Sequence, residues 1–210
     1  DLTDGSATGT DGITGFENYF GSAQVDTLTL GGQSSEYDFA LRAGGGFIIS
    51  DTNPTDGDRG TIEVSEFENF VFDDTTLTDY DIAVSLIEVT VSNVSISEGV
   101  AGYKFATFTV TLSSAALAGG VTFDIATAND TALAGSDYIA NALTGQTIPE
   151  GETTYTFDVR IEGDATIEPD ETFSVIVSNV TGANPVNATG TGTIVNDDFT
   201  DLDYFFMSAG

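Results

Sequence analysis

From Leu86 to Val195 the sequence repeats one pattern. Runs rich in Val, Ile, Thr, Phe and Tyr alternate apolar with polar residues and stop at clusters of Gly, Asn, Asp or Pro. A period of two marks a strand with one buried face, and helical periodicity is nearly absent. The runs fall at 86–97, 103–112, 121–127, 144–148, 153–161, 172–179 and 189–195. Seven short strands at this spacing predict an all-β fold, an immunoglobulin-like antiparallel sandwich. Tyr103, Phe105, Phe108, Phe123, Tyr155, Phe157 and Phe173 lie on these runs and are expected in its core.

Residues 1–85 have another texture, rich in Gly and Asp, with shorter strands. Gly15-Phe16-Glu17-Asn18-Tyr19-Phe20 is echoed by Glu66-Phe67-Glu68-Asn69-Phe70-Val71-Phe72, which predicts a small β module of stacked strands closed by similar turns. Residues 199–210, rich in Phe, Leu, Tyr and Met, follow the last strand as an apolar tail, read as an assembly segment or the start of a next domain. The chain opens at Asp1 and not Met, as expected of a piece of something larger.

Charge narrows the function. Four Lys plus Arg face 34 Asp plus Glu, a formal net charge of −30. Nucleic acid and anionic membrane surfaces are bound through clustered Lys and Arg, so both are excluded as partners, and no apolar run reaches the length of a membrane span. The absence of Cys and His removes disulfides, thiol nucleophiles, His-dependent triads and imidazole or thiolate metal sites. Oxygen ligands remain, the set that suits a hard cation, calcium above all. With 40% hydrophobic residues, 15 Phe and 7 Tyr, the chain has enough apolar surface to bury a core.

If the strands alternate in direction, their loops sort to two poles. One pole receives 113–120, 149–152 and 180–188 and is nearly uncharged; the other receives Glu98, loop 128–143 with Asp130 and Asp137, loop 162–171 with Glu162, Asp164, Glu168, Asp170 and Glu171, and Asn196-Asp197-Asp198. Adjacent like charges repel by about 1 kcal/mol in water at 4 Å and more when shielded from it. Lys104 and Arg160 are too few to balance them, so a bound cation is expected. Paired carboxylates could also serve glycoside hydrolysis, but these lie among further carboxylates and no Trp is present to stack a sugar. The expectation is that the chain is not an enzyme.

"VSISEG", "TANDTALAGSDYI", "IPEGETTYTFDVRIEGDATIEPDETFSVIVSNV" and "GTIVNDD" resemble the Calx-beta family over residues 86–198. The matching motifs are its T-x-D-G-T-A-x-x-G-x-D-Y turn, G-E-T strand start, D-x-x-x-E-x-D-E-x-F hairpin and terminal acidic triplet. The resemblance implies calcium ligands at Glu98, Asp137, Asp164, Glu168, Glu171, Asp197 and Asp198. Asn196 stands where the triplet often has Asp, and Gly163 and Pro169 replace residues that are often acidic, so one or two ions are expected. "GITGFENYFGSAQVDTLTLGG" and "EFENFVFDD" in residues 1–85 resemble the degenerate repeats around hemolysin-type (RTX) calcium-binding β-rolls. Asp26 falls on the outline of one such repeat but reads better as an Asp in an ordinary turn. Together these readings imply a bacterial extracellular or cell-surface protein, a calcium-stiffened structural module acting in adhesion or in assembly into a filament or surface layer. Its expected partners are calcium, other copies of itself or other surface proteins. The rival reading is a non-catalytic accessory module of a large secreted enzyme.

Overall fold

The computed structural model describes residues 25–42, 45–53 and 60–199, together with the strand backbones at 6–8 and 16–20. The chain divides into two compact units, Asp1–Leu86 and Ile87–Gly210. Among the described residues no helix is long and apolar enough to cross a membrane.

The first unit is built from β1 (Ser6–Thr8), β2 (Phe16–Phe20), β3 (Thr27–Thr29), β4 (Tyr37–Leu41), β5 (Phe47–Asp51), β6 (Thr61–Ser65), β7 (Asn69–Val71), β8 (Thr76–Thr78) and α1 (Asp79–Ser85). They form two sheets, β1-β3-β7-β8 and β2-β6-β5-β4. β1, β3 and β7 run parallel, with Thr27 opposite both Ser6 and Asn69, and β2 runs parallel to β6 with Phe16 opposite Thr61. Successive strands thus alternate between the sheets as parallel rungs, interrupted by the antiparallel β4–β5 hairpin and closed by antiparallel β8. Leu28, Leu30, Phe47, Ile49, Phe70 and Phe72 fill the space inside.

The echoed motif does not stack on itself. Its first copy is β2 in one sheet, its second spans β7 in the other, and β2 pairs with Thr61–Ser65 instead. Alternating aromatics suit an inward face in either sheet; ladder register decides which strands meet. Asp26 is no turn residue: it is fully buried immediately before β3, where its carbonyl accepts the N–H groups of Glu68 and Asn69 and its own N–H donates to Glu68 Oε2 at 2.7 Å. The periodicity reading also passed over α1. A capping box marks it, with Asp81 N–H donating to Thr78 Oγ1 at 3.1 Å and Thr78 N–H to the Asp81 carboxylate at 3.0 Å.

The second unit is an all-β sandwich of β9 (Glu88–Val91), β10 (Val94–Ser97), β11 (Gly102–Leu112), β12 (Val121–Asn129), β13 (Ala142–Ile148), β14 (Thr154–Gly163), β15 (Glu171–Thr181), β16 (Asn184–Asn187) and β17 (Thr189–Val195). The sheets are β10-β17-β15-β12-β13 and β14-β11-β9-β16. The single run at 86–97 is two strands, one in each sheet, broken at Ser92-Asn93. Thr109 N–H of β11 donates to Ser92 Oγ at 2.9 Å, and Thr191 N–H of β17 donates to Asn93 Oδ1 at 2.8 Å. Each side chain therefore holds a strand of a different sheet. The break makes two parallel pairs, β10 with β17 and β9 with β16, in a sandwich otherwise antiparallel.

Phe108, Phe123, Phe157 and Phe173 are buried in its core, each adding about 1.5–3 kcal/mol of transfer free energy. Tyr103 and Phe105 are not; they stand 56% and 55% exposed. On β11 the even positions from Ala106 to Leu112 face inward, so parity sends 103 and 105 outward. There the two rings meet edge-on at 5.6 Å, and the Arg160 guanidinium lies 4.2 Å from the Tyr103 ring centre.

Candidate metal centre

The loops of the sandwich gather at two ends. At one, Ala116 N–H donates to Glu152 O and Gly151 N–H to Ala116 O, knitting 113–120 to 149–152. At the other, Glu162 N–H donates to Asp137 O, and Gly99 N–H to Asp197 Oδ1 at 2.9 Å. This second end collects the acidic loops.

The parallel pairing of β10 with β17 builds the first part of the site. Ser97 lies opposite Val195, so both strands end together and release Glu98 and Asn196-Asp197-Asp198 side by side. Glu98, Asp197 and Asp198 each offer a carboxylate oxygen, and the three lie within 4.8 Å of one another. Glu98 is 5% exposed and Asp198 7%. Asp198 Oδ2 is buried without a hydrogen-bond partner. Gly163, at the end of β14, lets this cluster close: a Cβ there would run into the carbonyl oxygens of Gly99 and Glu98. An acidic side chain is excluded at this position by space.

Asp137, Glu168 and Glu171 form a second trio, also within 4.8 Å and half-buried. Asp137 is fixed in a tight turn, its carboxylate accepting Leu133 N–H at 2.6 Å. The next residue, Tyr138, anchors that turn by stacking on Phe173 at 4.6 Å and donating its hydroxyl to Asn129 Oδ1 at 2.6 Å. Glu171 opens β15, opposite Ile194. Between the trios sits Asn196. Its Oδ1 accepts Glu168 N–H at 3.3 Å, its Nδ2 donates to Asp198 O at 3.1 Å, and its N–H donates to the Asp170 carboxylate at 3.1 Å. The residue read as a departure from an acidic triplet is a bridge, and the Nδ2 donation is one that an Asp could not make. Asp170 is thereby a support for the backbone of Asn196.

Asp164 belongs to neither trio. Hydrogen bonds from the Thr166 hydroxyl and then from its N–H hold the Asp164 carboxyl below the usual carboxylate range. Asp130, at the same end, accepts the Thr172 hydroxyl at 2.6 Å.

Burial and crowded charge both favour the protonated form of Glu98 and Glu171. Burial, and then the charges of Asp164, Glu168, Asp198 and Asp197, push Glu98 up to about 7. Burial and the neighbouring carboxyls of Asp137 and Glu168 raise Glu171 as well. The sandwich's own cations are engaged elsewhere. Lys104 Nζ donates to Ser97 O at 2.7 Å, and Arg160 pairs with Glu162 at 2.7 Å. A buried carboxylate oxygen without a donor, inside a trio of like charges, is complementary to a hard cation and to little else.

A family model described as the Calx-beta domain matches residues 79–201. Among solved structures, the chain is similar to the apo form of the Calx CBD1 domain, with 20% identity and a TM-score of 0.45 over 53% of this chain and 98% of that one. It is also similar to CBD12 from CALX1.2, with 22% identity and a TM-score of 0.46, and to the calcium binding domain CBD12 of CALX1.1, with 18% and 0.44. It covers 55% and 53% of this chain in those two matches but only 50% and 44% of theirs. No curated protein matches the chain in sequence.

Proposed function

The chain belongs to the Calx-beta domain family, and we propose that its sandwich binds calcium at the two trios, Glu98, Asp197 and Asp198 in the buried one and Asp137, Glu168 and Glu171 in the other. Calx-beta domains are calcium-binding modules, a regulatory and not a catalytic family. The unpartnered, buried Oδ2 of Asp198 carries the reading. Asp164, whose charge acts on Glu98, is proposed as an outer contributor. Calcium supplies positive charge and six to eight coordination positions for oxygen. The residues' part is to hold the loops of β10, β15 and β17 in one arrangement. Calorimetric titration tests this: calcium should bind with heat and raise the melting temperature over that in chelator, with magnesium a poor substitute. Equal melting temperatures and no heat would sink it.

The wider role we propose is structural, in a bacterial extracellular or surface protein whose calcium-stiffened sandwich acts in adhesion or self-assembly, the whole chain being non-catalytic. Support comes from what surrounds the trios. Val100, Leu133, Ile139, Ile167 and Phe199 are all exposed, and each lies within four residues of a trio carboxylate. A merely solvated acidic surface has no use for such a collar, whereas an interface opened by neutralising the charge does. The parallel rungs of the first unit support reading residues 1–85 as an RTX-like β module.

A further inference from the structure

We propose that the N-terminal unit holds a cation site of its own, in which Asp51, together with Glu36, binds a hard divalent cation of the calcium type. Phe47, Ile49 and Asp51 are the inward-facing residues of β5, so the Asp51 carboxyl continues an apolar stripe. It is 8% exposed. Its Oδ1 accepts Asn53 N–H at 2.9 Å; its Oδ2 is buried with no partner.

The segment 51–53 also gathers a second carboxylate. Asn53 Nδ2 donates to Glu36 Oε1 at 2.9 Å, and the N–H and hydroxyl of Thr52 both donate to Glu36 O at 2.8 Å. One asparagine thus holds both Glu36 and Asp51, and the Gly60 carbonyl lies beside them, accepting Asp51 N–H at 3.1 Å. Arg42, the cation of this unit among the described residues, pairs with Glu63 at 2.7 Å. A buried carboxylate oxygen without a donor is unstable as an anion unless a charge reaches it. The oxygens that this segment brings together, the Asp51 and Glu36 carboxylates and the Gly60 carbonyl, are hard ligands that suit calcium and not a soft metal. None of them belongs to the sandwich trios.

The test removes the sandwich sites first. In the full chain carrying Glu98→Gln, Asp198→Asn, Glu168→Gln and Glu171→Gln, terbium luminescence sensitised by tyrosine reads the remaining site, since Tyr37 is buried directly opposite Asp51 in the β4–β5 ladder. We expect a terbium signal that calcium displaces. Asp51→Asn should abolish it, and Glu36→Gln, at a half-buried turn, should weaken calcium affinity roughly tenfold or more. No displaceable signal, or a signal indifferent to both substitutions, overturns the proposal, whatever the sandwich sites do. Melting in the otherwise native chain gives an independent sign. Asp51→Asn should raise the melting temperature in chelator, where it removes an unpaired charge, and lower it in calcium, where it removes a ligand. A rise in both conditions refutes the site.

Discussion

At Asn196 a single amide joins the two carboxylate trios, accepting from Glu168 and donating to Asp198. Asn196→Asp would lose the donation and add a charge to a cluster in which burial, and then like charge, already push Glu98 up to about 7. We expect it to destabilise the calcium-free sandwich by about 1–3 kcal/mol, measured by denaturant unfolding in chelator. The Glu98 shift sets a pH dependence. Its folded value, about 7, lies above the ordinary 4.5, so between those values the folded state binds the proton that the unfolded state has released. Stability of the calcium-stripped protein therefore falls as pH rises from about 4.5 to about 7, and Glu171, also raised, adds in the same direction. Glu98→Gln should flatten that slope in unfolding midpoints taken across the window. Gly163→Ala should cost about 1–3 kcal/mol, because the added methyl meets backbone oxygens that cannot move aside.

Among the elements, the parallel pair β10 and β17 matters most to the site, since it delivers Glu98 and Asp197-Asp198 from adjacent strand ends. The pair exists because Ser92 and Asn93 break the first run and hand its second half to the other sheet. β15 contributes Glu171 and the loop before it Glu168, whereas the β13–β14 loop carries Glu150 and Glu152 at the opposite end. Two double variants of equal charge change separate position from net charge. Glu168→Gln with Glu171→Gln should remove most of the calcium-dependent rise in melting temperature, and Glu150→Gln with Glu152→Gln should leave it intact. Calcium titration giving the same affinity and stoichiometry in both would show the assignment of poles to be wrong.

For the whole molecule, a charge of −30 opposes both compact folding and the approach of another copy. A cation bound only by the folded state shifts that balance by mass action, by about 2.7 kcal/mol at a hundredfold excess over Kd. Self-association should accordingly appear in calcium and vanish in chelator when followed by light scattering. Substituting Ile167 and Phe199 of the exposed collar by Ser should suppress association without altering calcium affinity. The apolar tail from residue 200 onward lies outside the described residues; deleting 200–210 measures its share of the same association, and an unchanged particle size would remove it from the account.

Sequence alone carried the all-β class, the sandwich, and the gathering of acidic loops at one end. The physical reason is that strand alternation has a period of two, and alternating strand directions send every second loop to the same pole, so both are fixed by spacing along the chain. It could not say which carboxylates meet. That Glu98 joins Asp197 and Asp198 while Asp137 joins Glu168 and Glu171, with Asp164 in neither trio, depends on which strands pair and where a glycine allows backbones to close. The bridge at Asn196 and the burial of Asp51 followed the same rule. Each rests on a contact between residues distant in sequence or on the choice of face, and a pattern read locally contains neither.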